Sequence, residues 1–398
     1  MQTDCKIIQQ KRNNRGFCLS DKILYYMLSL FIIGNYLLRV ESFAVVDMLL
    51  QIAAIISMGV IFLLRIRHFY VLTWYNLSIL LIFGYLSTVA VQNGNFYRSL
   101  ILIPLMLIAF QLLYGKQMRT NPGKCFKIIA DVFLLFFLLN TFLMVFAPNF
   151  FPAESSVSKS YLISTNYNQF GGAIIPGLLA GCGAISFDKI YARRFLLMLF
   201  LSIFMVAYAG SVTSTIALLL IALYYFFAKN NKFLSKVAFI SITLVIVFIF
   251  FDFVLQISKF LPTGGLTEKF FTLVGKDATF SGRTYIWTQT IIYILNSPLT
   301  GIGWYNSEWA ELALGAVNTH NIILNILLQG GVLFLVFVII IVACLYKALS
   351  QIKTHESRLA MFISLCYLLM TQFEVYNYFM ICLSMFFVYN ISICNHHE

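Results

Sequence analysis

The sequence predicts an all-α, polytopic membrane protein with about twelve spanning helices, both termini cytoplasmic, in a single domain covering residues 1–398. Composition is the first reason. Of 398 residues 61% are hydrophobic and 11% charged, whereas soluble domains carry about 25% charged residues. The second is length: twelve apolar runs approach the roughly 20 residues a spanning helix needs. The third is charge segregation. With the N-terminus inside, the inner segments hold 20 of the 27 Lys and Arg residues and the outer segments seven. Basic residues cross membranes poorly and remain on the cytoplasmic side. The net charge of +12 therefore reads as topological, and nucleic acid is not an expected partner.

The runs fall at about 22–40, 43–64, 69–91, 97–114 and 126–147, then 169–186, 194–210, 212–228 and 236–254, and finally 321–346, 358–373 and 376–393. Lys6, Lys11, Arg12 and Arg15 precede the first run as in a secretory leader. No small-x-small cleavage site follows, so a retained helix is expected. The inner connections carry Arg65 and Arg67, then Lys116, Arg119, Lys124 and Lys127, then Lys189, Arg193 and Arg194. Cys5, Cys18, Cys125 and Cys394 map inside and the other four cysteines within helices. No outer disulfide framework is implied, and no Cys/His cluster calls for a metal. No cofactor is expected.

Two outer loops are long enough to matter. The first, about 148–168, passes through a Ser-rich patch to Asn166-Tyr-Asn168-Gln-Phe-Gly. The glycine-rich sixth run follows it, with Gly171, Gly172, Gly177, Gly181 and Gly183 around Pro176. Small residues there serve either close helix packing or a substrate groove. The second loop, about 255–320, holds Trp287, Trp304 and Trp309, three of the four tryptophans, which argues against disorder. Within it a surface helix is expected over about 284–295, ended by Asn296-Ser-Pro298, with Trp287, Ile291, Ile294 and Leu295 at helical spacing. Gly301-Ile-Gly303 forces a turn, and the chain re-enters the bilayer at His320.

His320 is the one histidine mapped to the outer face. Imidazole titrates near neutral pH, so it can take a proton from an attacking hydroxyl; the alternative is an interfacial His bonded to loop backbone. Asn318 and Asn321 flank it. Arg283 opens the surface helix, where a guanidinium fork and a helix N-terminus both suit phosphate; the alternative is snorkelling to headgroups. Arg98 and Arg39 sit at helix ends, where snorkelling is routine. Trp304, Tyr305 and Trp309 stack on sugar rings or form an interfacial belt. Asn166 and Asn168 bind hydroxyls or cap the sixth helix. No charged residue lies near the middle of a predicted span, which counts against a transporter. No Asp-x-Asp, P-loop or His-Glu-x-x-His occurs.

The combination Ser281-Gly-Arg283-(x3)-Trp287, Pro298-Leu-x-Gly301-x-Gly303 and His320-Asn321-(x2)-Leu324…Gly330-Gly331 resembles the O-antigen ligase and O-antigen polymerase superfamily. Asn166-Tyr-Asn168 looks like an Asn-x-Asn element of that family. The resemblance covers about 160–346 by motif and the remainder by topology. It implies a GT-C-like, metal-independent glycosyltransferase of the bacterial cytoplasmic membrane, with 255–320 as an extracytoplasmic catalytic loop between the ninth and tenth helices. The donor it implies is an oligosaccharide on undecaprenyl diphosphate. It gives His320 as general base and Arg283 as the diphosphate contact, with Asn318, Asn321, Trp304, Tyr305, Asn168 and Arg98 as substrate-binding candidates. One departure stands out: many members of that family carry Ser-Arg near the outer start of the eighth helix, where this chain reads Gly210-Ser211-Val-Thr213-Ser-Thr215. A basic phosphate contact is then expected either to be missing or to be supplied by Arg98 or Lys159.

Polymerisation of lipid-linked repeat units is the favoured activity, for O-antigen, capsule or exopolysaccharide, with a chain-length regulator or flippase of the same pathway as a further expected partner. Ligation to another glycan is the alternative. A lipid-linked sugar flippase and a transferase using Glu41 as base are the remaining readings.

Overall fold

The computed structural model describes residues 19–37, 44–65, 74–94, 97–148, 161–163, 167–228, 230–249, 283–351 and 354–394. Ser281, Gly282, Asn166, Lys159, Arg39, Glu41 and the first part of the long loop lie outside them. The described elements are helical. In chain order they are α1 (Leu19–Leu37), α2 (Ala44–Arg65), α3 (Trp74–Gln92), α4 (Ser99–Thr120) and α5 (Pro122–Phe146). After a 3-10 turn (Tyr167–Gln169) come α6 (Phe170–Phe187), α7 (Ala192–Ala209), α8 (Val212–Leu223, continued by a π turn to Ala228) and α9 (Lys232–Ile249). Then follow α10 (Arg283–Asn296), α11 (Ser307–Leu314), α12 (Ile322–Ser350), α13 (His355–Thr371) and α14 (Tyr378–Cys394).

Each of the twelve apolar runs overlaps a helix. Six helices among the described residues are long and apolar enough to cross a membrane: α3, α4, α5, α6, α7 with its preceding turn, and α12. The expected surface helix over 284–295 is α10, beginning one residue earlier.

The centre of the bundle is α6, whose residues from Phe170 to Ile185 are all buried. Glycine makes this possible. A Cβ on Gly183 would lie 2.4 Å from the Phe126 ring, and one on Gly177 would lie 2.9 Å from Phe137. Large apolar side chains such as Leu63, Phe142, Phe200 and Ile339 instead face outward. That is the distribution expected of a surface solvated by hydrocarbon rather than water.

The two ends of the bundle differ. At one end the starts of α5 and α7 meet the end of α6. Asp131 accepts hydrogen bonds from the Tyr26 and Tyr191 hydroxyls at 2.9 and 2.8 Å and from Arg194 at 2.7 Å, and Lys127 pairs with Asp188. At the other end the start of α12, the start of α6 and the α13–α14 connection converge, and α10 packs over them.

The sharpest backbone feature lies inside α12. Gly331 adopts φ 65°, ψ −167°, breaking the helix into two halves. A break leaves carbonyls without helical donors, and buried orphan groups are costly. Here each finds a partner. Ile302 N–H donates to Leu328 O at 2.8 Å, Gly303 N–H to Gln329 O at 3.0 Å, and the Tyr85 hydroxyl to Gly330 O at 2.8 Å. In return Val332 N–H donates to Pro298 O at 2.8 Å. The Pro298-Leu-x-Gly-x-Gly segment is thus the backbone that fills the break at Gly330-Gly331. A Cβ on Gly331 would fall 2.2 Å from the Leu299 carbonyl, and one on Gly301 2.6 Å from the Gln329–Gly330 backbone.

Candidate active site

The site is built on the first turn of α12. Asn321 is its N-cap: the side-chain oxygen accepts from Ile323 N–H at 2.9 Å and Leu324 N–H at 3.1 Å, while Nδ2 donates to Gln372 O at 3.0 Å. The residue is fully buried. The structure therefore places Asn321 in the scaffold, joining α12 to the α13–α14 connection, and not on a cavity wall.

His320 precedes that cap. Among the described residues it is the one non-glycine with positive φ, at 50°. Such a conformation costs of order 1–3 kcal/mol and persists only when its surroundings over-determine it. Three contacts do so. Asn318 Oδ1 accepts from His320 N–H at 2.7 Å, Trp287 Nε1 donates to Thr319 O at 2.9 Å, and the Thr319 hydroxyl donates to Asn321 O at 2.8 Å. Residues four apart share a helix face, so α10 delivers Trp287 to the His320 loop and Arg283 to the same side. That is the physical content of the Arg-(x3)-Trp spacing.

Both residues converge on Glu374, which the sequence reading did not single out. His320 Nδ1 lies 3.1 Å from Glu374 Oε2, and Arg283 Nη2 lies 4.0 Å from the same oxygen. Glu374 Oε1 accepts from Gln169 Nε2 at 3.3 Å and from Val375 N–H at 3.2 Å. The Glu374 side chain is only 5% exposed. A carboxylate so buried costs several kcal/mol unless paired and hydrogen-bonded, and these four groups supply the pairing. An ionised carboxylate only accepts, so a neutral imidazole that donates to it through Nδ1 carries its lone pair on Nε2. Imidazole and carboxylate thus have the relative arrangement of the His–carboxylate part of a catalytic triad.

The loop bearing Glu374 lies on the first turn of α6. A Cβ on Gly172 would fall 2.7 Å from the Tyr376 ring, and one on Gly171 2.8 Å from its hydroxyl oxygen. The two glycines let the loop approach, which is close packing in the service of the site. Burial first, and then the adjacent Glu374 charge, push the Tyr376 phenol above its ordinary range, so it remains a neutral group beside the acid.

In front of His320 opens a cavity of about 870 Å³. Its wall includes His320, Glu374, Asn318, Trp304 and Tyr305, together with Arg98. Asn325 and Gln329 line it one and two turns into α12, and Tyr378 faces them from α14. These are linked: the Tyr305 hydroxyl donates to Asn325 Oδ1, Asn325 Nδ2 to the Tyr378 hydroxyl at 3.0 Å, and that hydroxyl to Gln329 Oε1 at 2.7 Å. The Trp304 and Tyr378 rings lie 5.2 Å apart. A wall combining aromatic faces with amide and hydroxyl groups suits a neutral polyol such as a sugar.

The remaining expected residues separate. Arg283 is 13% exposed and stands behind Glu374, off the cavity wall. Asn168 is half-buried beside Gln169 and is likewise off the wall. Arg98 is exposed at the start of α4 and on the wall. Ser211 and Ser214, in the segment read as a departure from the resembled pattern, are buried. Among the described residues no group of His, Cys, Asp and Glu has the arrangement of a metal site.

No curated protein matches the chain at a significant level. Residues 197–341, from within α7 through the broken α12, match the family model described as O-antigen ligase.

Proposed function

We propose that the protein polymerises oligosaccharide repeat units carried on undecaprenyl diphosphate, in the bacterial cytoplasmic membrane, with the cavity facing the extracytoplasmic side. The carrying observation is the His320–Glu374 pair on the wall of a polar–aromatic cavity, the carboxylate buried and the half-buried histidine held in a strained backbone conformation. His320 Nε2 takes the proton of an acceptor hydroxyl. The freed oxygen attacks the anomeric carbon of the donor, the bond from that carbon to the diphosphate oxygen breaks, and the lipid diphosphate leaves with the electron pair. Glu374 holds the ring and stabilises the imidazolium that forms. Arg283 acts as a positioning residue: its guanidinium offsets the Glu374 charge and fixes the carboxylate. The basic helix ends at the opposite pole, Lys127 and Arg194 among them, support placing that pole in the cytoplasm.

Polymerisation needs one substrate, since the glycan of a second lipid-linked unit supplies the hydroxyl. The description of the matched family favours a second reading, ligation to a different glycan acceptor. Purified protein in lipid, given only undecaprenyl-diphosphate-linked repeat units from its own pathway, separates them. A product ladder supports polymerisation. Release of lipid diphosphate only after a second glycan is added supports ligation. No transfer with either acceptor overturns the glycosyltransferase reading.

A further inference from the structure

Four neutral side chains on the cavity wall form a hydrogen-bond chain that runs in one direction. The Tyr305 hydroxyl donates to Asn325 Oδ1, which leaves the Asn325 amide nitrogen to donate onward, to the Tyr378 hydroxyl at 3.0 Å. Tyr378 then gives its own proton to Gln329 Oε1 at 2.7 Å. A side-chain amide has one oxygen and one NH2 group, so each step fixes the next, and the chain ends on Gln329 Nε2. That nitrogen donates to no acceptor among the described residues. Gln329 is only 4% exposed and stands on the cavity wall. Its backbone is held as well, since Gln329 O accepts from Gly303 N–H beside the break in α12.

A buried donor left unpaired is costly, so whatever lies against Gln329 must accept a hydrogen bond. Three acceptors can be ranked by chemistry. A carboxylate brings a charge to a chain that contains no cation, and a desolvated unpaired charge is the costliest of the three. A hydroxyl accepts, but its own proton then needs an acceptor, and both amide oxygens of the chain already receive one. An amide carbonyl accepts and brings no proton to that oxygen. The neighbouring Trp304 ring, 5.2 Å from the Tyr378 ring, supplies an apolar face for the alkyl group that an acyl carbonyl carries.

We infer that Gln329 is a specificity-determining residue that donates through Nε2 to the carbonyl of an acylamino substituent, so that the cavity selects an N-acylated amino sugar of the repeat unit. Tyr378 is its positioning residue: by donating to Gln329 Oε1 it stops the amide from turning over and keeps the NH2 group towards the ligand. The inference rests on the glycosyl-transfer reading and names the sugar class that the same site takes.

The test is binding of matched methyl glycosides to the purified protein in nanodiscs, followed by saturation-transfer NMR. The two members of a pair differ only in an acetamido or a hydroxyl group at the second carbon, and pairs of gluco and galacto configuration are compared. In at least one pair wild type should hold the acetamido member about tenfold more tightly, the gain expected for one hydrogen bond and a buried methyl group. Gln329→Met, similar in size and without a donor, should bind both members alike. Tyr378→Phe frees the amide to turn over and should lower the preference by about threefold; it keeps the inference testable if Gln329→Met folds poorly. The readout is the ratio within a pair, which a general loss of packing does not change. No preference in any wild-type pair, or a preference that survives both substitutions, would overturn the inference. Its failure leaves release of lipid diphosphate by wild type intact, whereas absence of release with every acceptor is failure of the glycosyl-transfer reading.

Discussion

Each end of the bundle holds a carboxylate ringed by partners, and the two rings differ in what they face. Asp131 collects Tyr26, Tyr191 and Arg194, and its side chain is 21% exposed with an Arg194 side chain 57% exposed. Glu374 collects His320, Arg283, Gln169 and its own loop backbone at 5% exposure. The first ring ties three helix starts together near water, where an ion pair contributes little. The second holds a histidine in an unfavourable backbone conformation on a cavity wall. A satisfied charge cluster is by itself a staple; strain and an adjoining cavity are what mark a site.

That contrast can be broken at several points. The largest effect belongs to His320→Ala, which should lower the rate of lipid-diphosphate release by about 10²–10⁴-fold, as for loss of a general base. Circular dichroism and melting should show the fold retained. Glu374→Gln keeps the shape and removes the charge. A loss of about 10²-fold in turnover, with donor binding little changed, is expected of a misoriented base; if turnover were unaffected, the carboxylate would be scaffold like Asp131. Gly331→Ala tests the architecture beneath the site. It forces a Cβ against the Leu299 carbonyl at positive φ, so folded yield and melting temperature should fall sharply, by more than the roughly 1–3 kcal/mol of backbone strain alone. The smallest effect is at the opposite pole. Asp131→Asn should cost about 1 kcal/mol or less, a melting shift of a few degrees, with transfer rates at the wild-type level.

How much of this was legible in the sequence follows from how local each signal is. The helices at the twelve apolar runs were, because such runs are continuous in sequence; α11 (Ser307–Leu314) has no such run and was not expected. His320 and Arg283 stood out as ionisable residues beside such runs, and Trp287 at one helical turn from Arg283. Glu374 belongs to no motif. Its signal is positional, an acid in the short connection between the last two apolar runs, on the side assigned to His320. Gln169 and Tyr376 had no signal apart from the contact they make. The Gly301–Gly303 turn was legible as a turn, yet its pairing with the Gly331 break joins backbone about 30 residues apart, and no local pattern records that. For Arg283, residue type and position at a helix start were legible and its contact with Glu374 was not. A guanidinium at a helix start suits a phosphate equally well whether a buried carboxylate stands in front of it or not.

The most direct test of the His320–Glu374 unit is a double-mutant cycle on release of undecaprenyl diphosphate in reconstituted lipid, comparing wild type, His320→Ala, Glu374→Gln and the double variant. Groups that act as one unit are not additive. The double variant should be no slower than His320→Ala alone, within a factor of about two. Losses that multiply, or a Glu374→Gln enzyme at the wild-type rate, would contradict a catalytic pair at this end of the bundle.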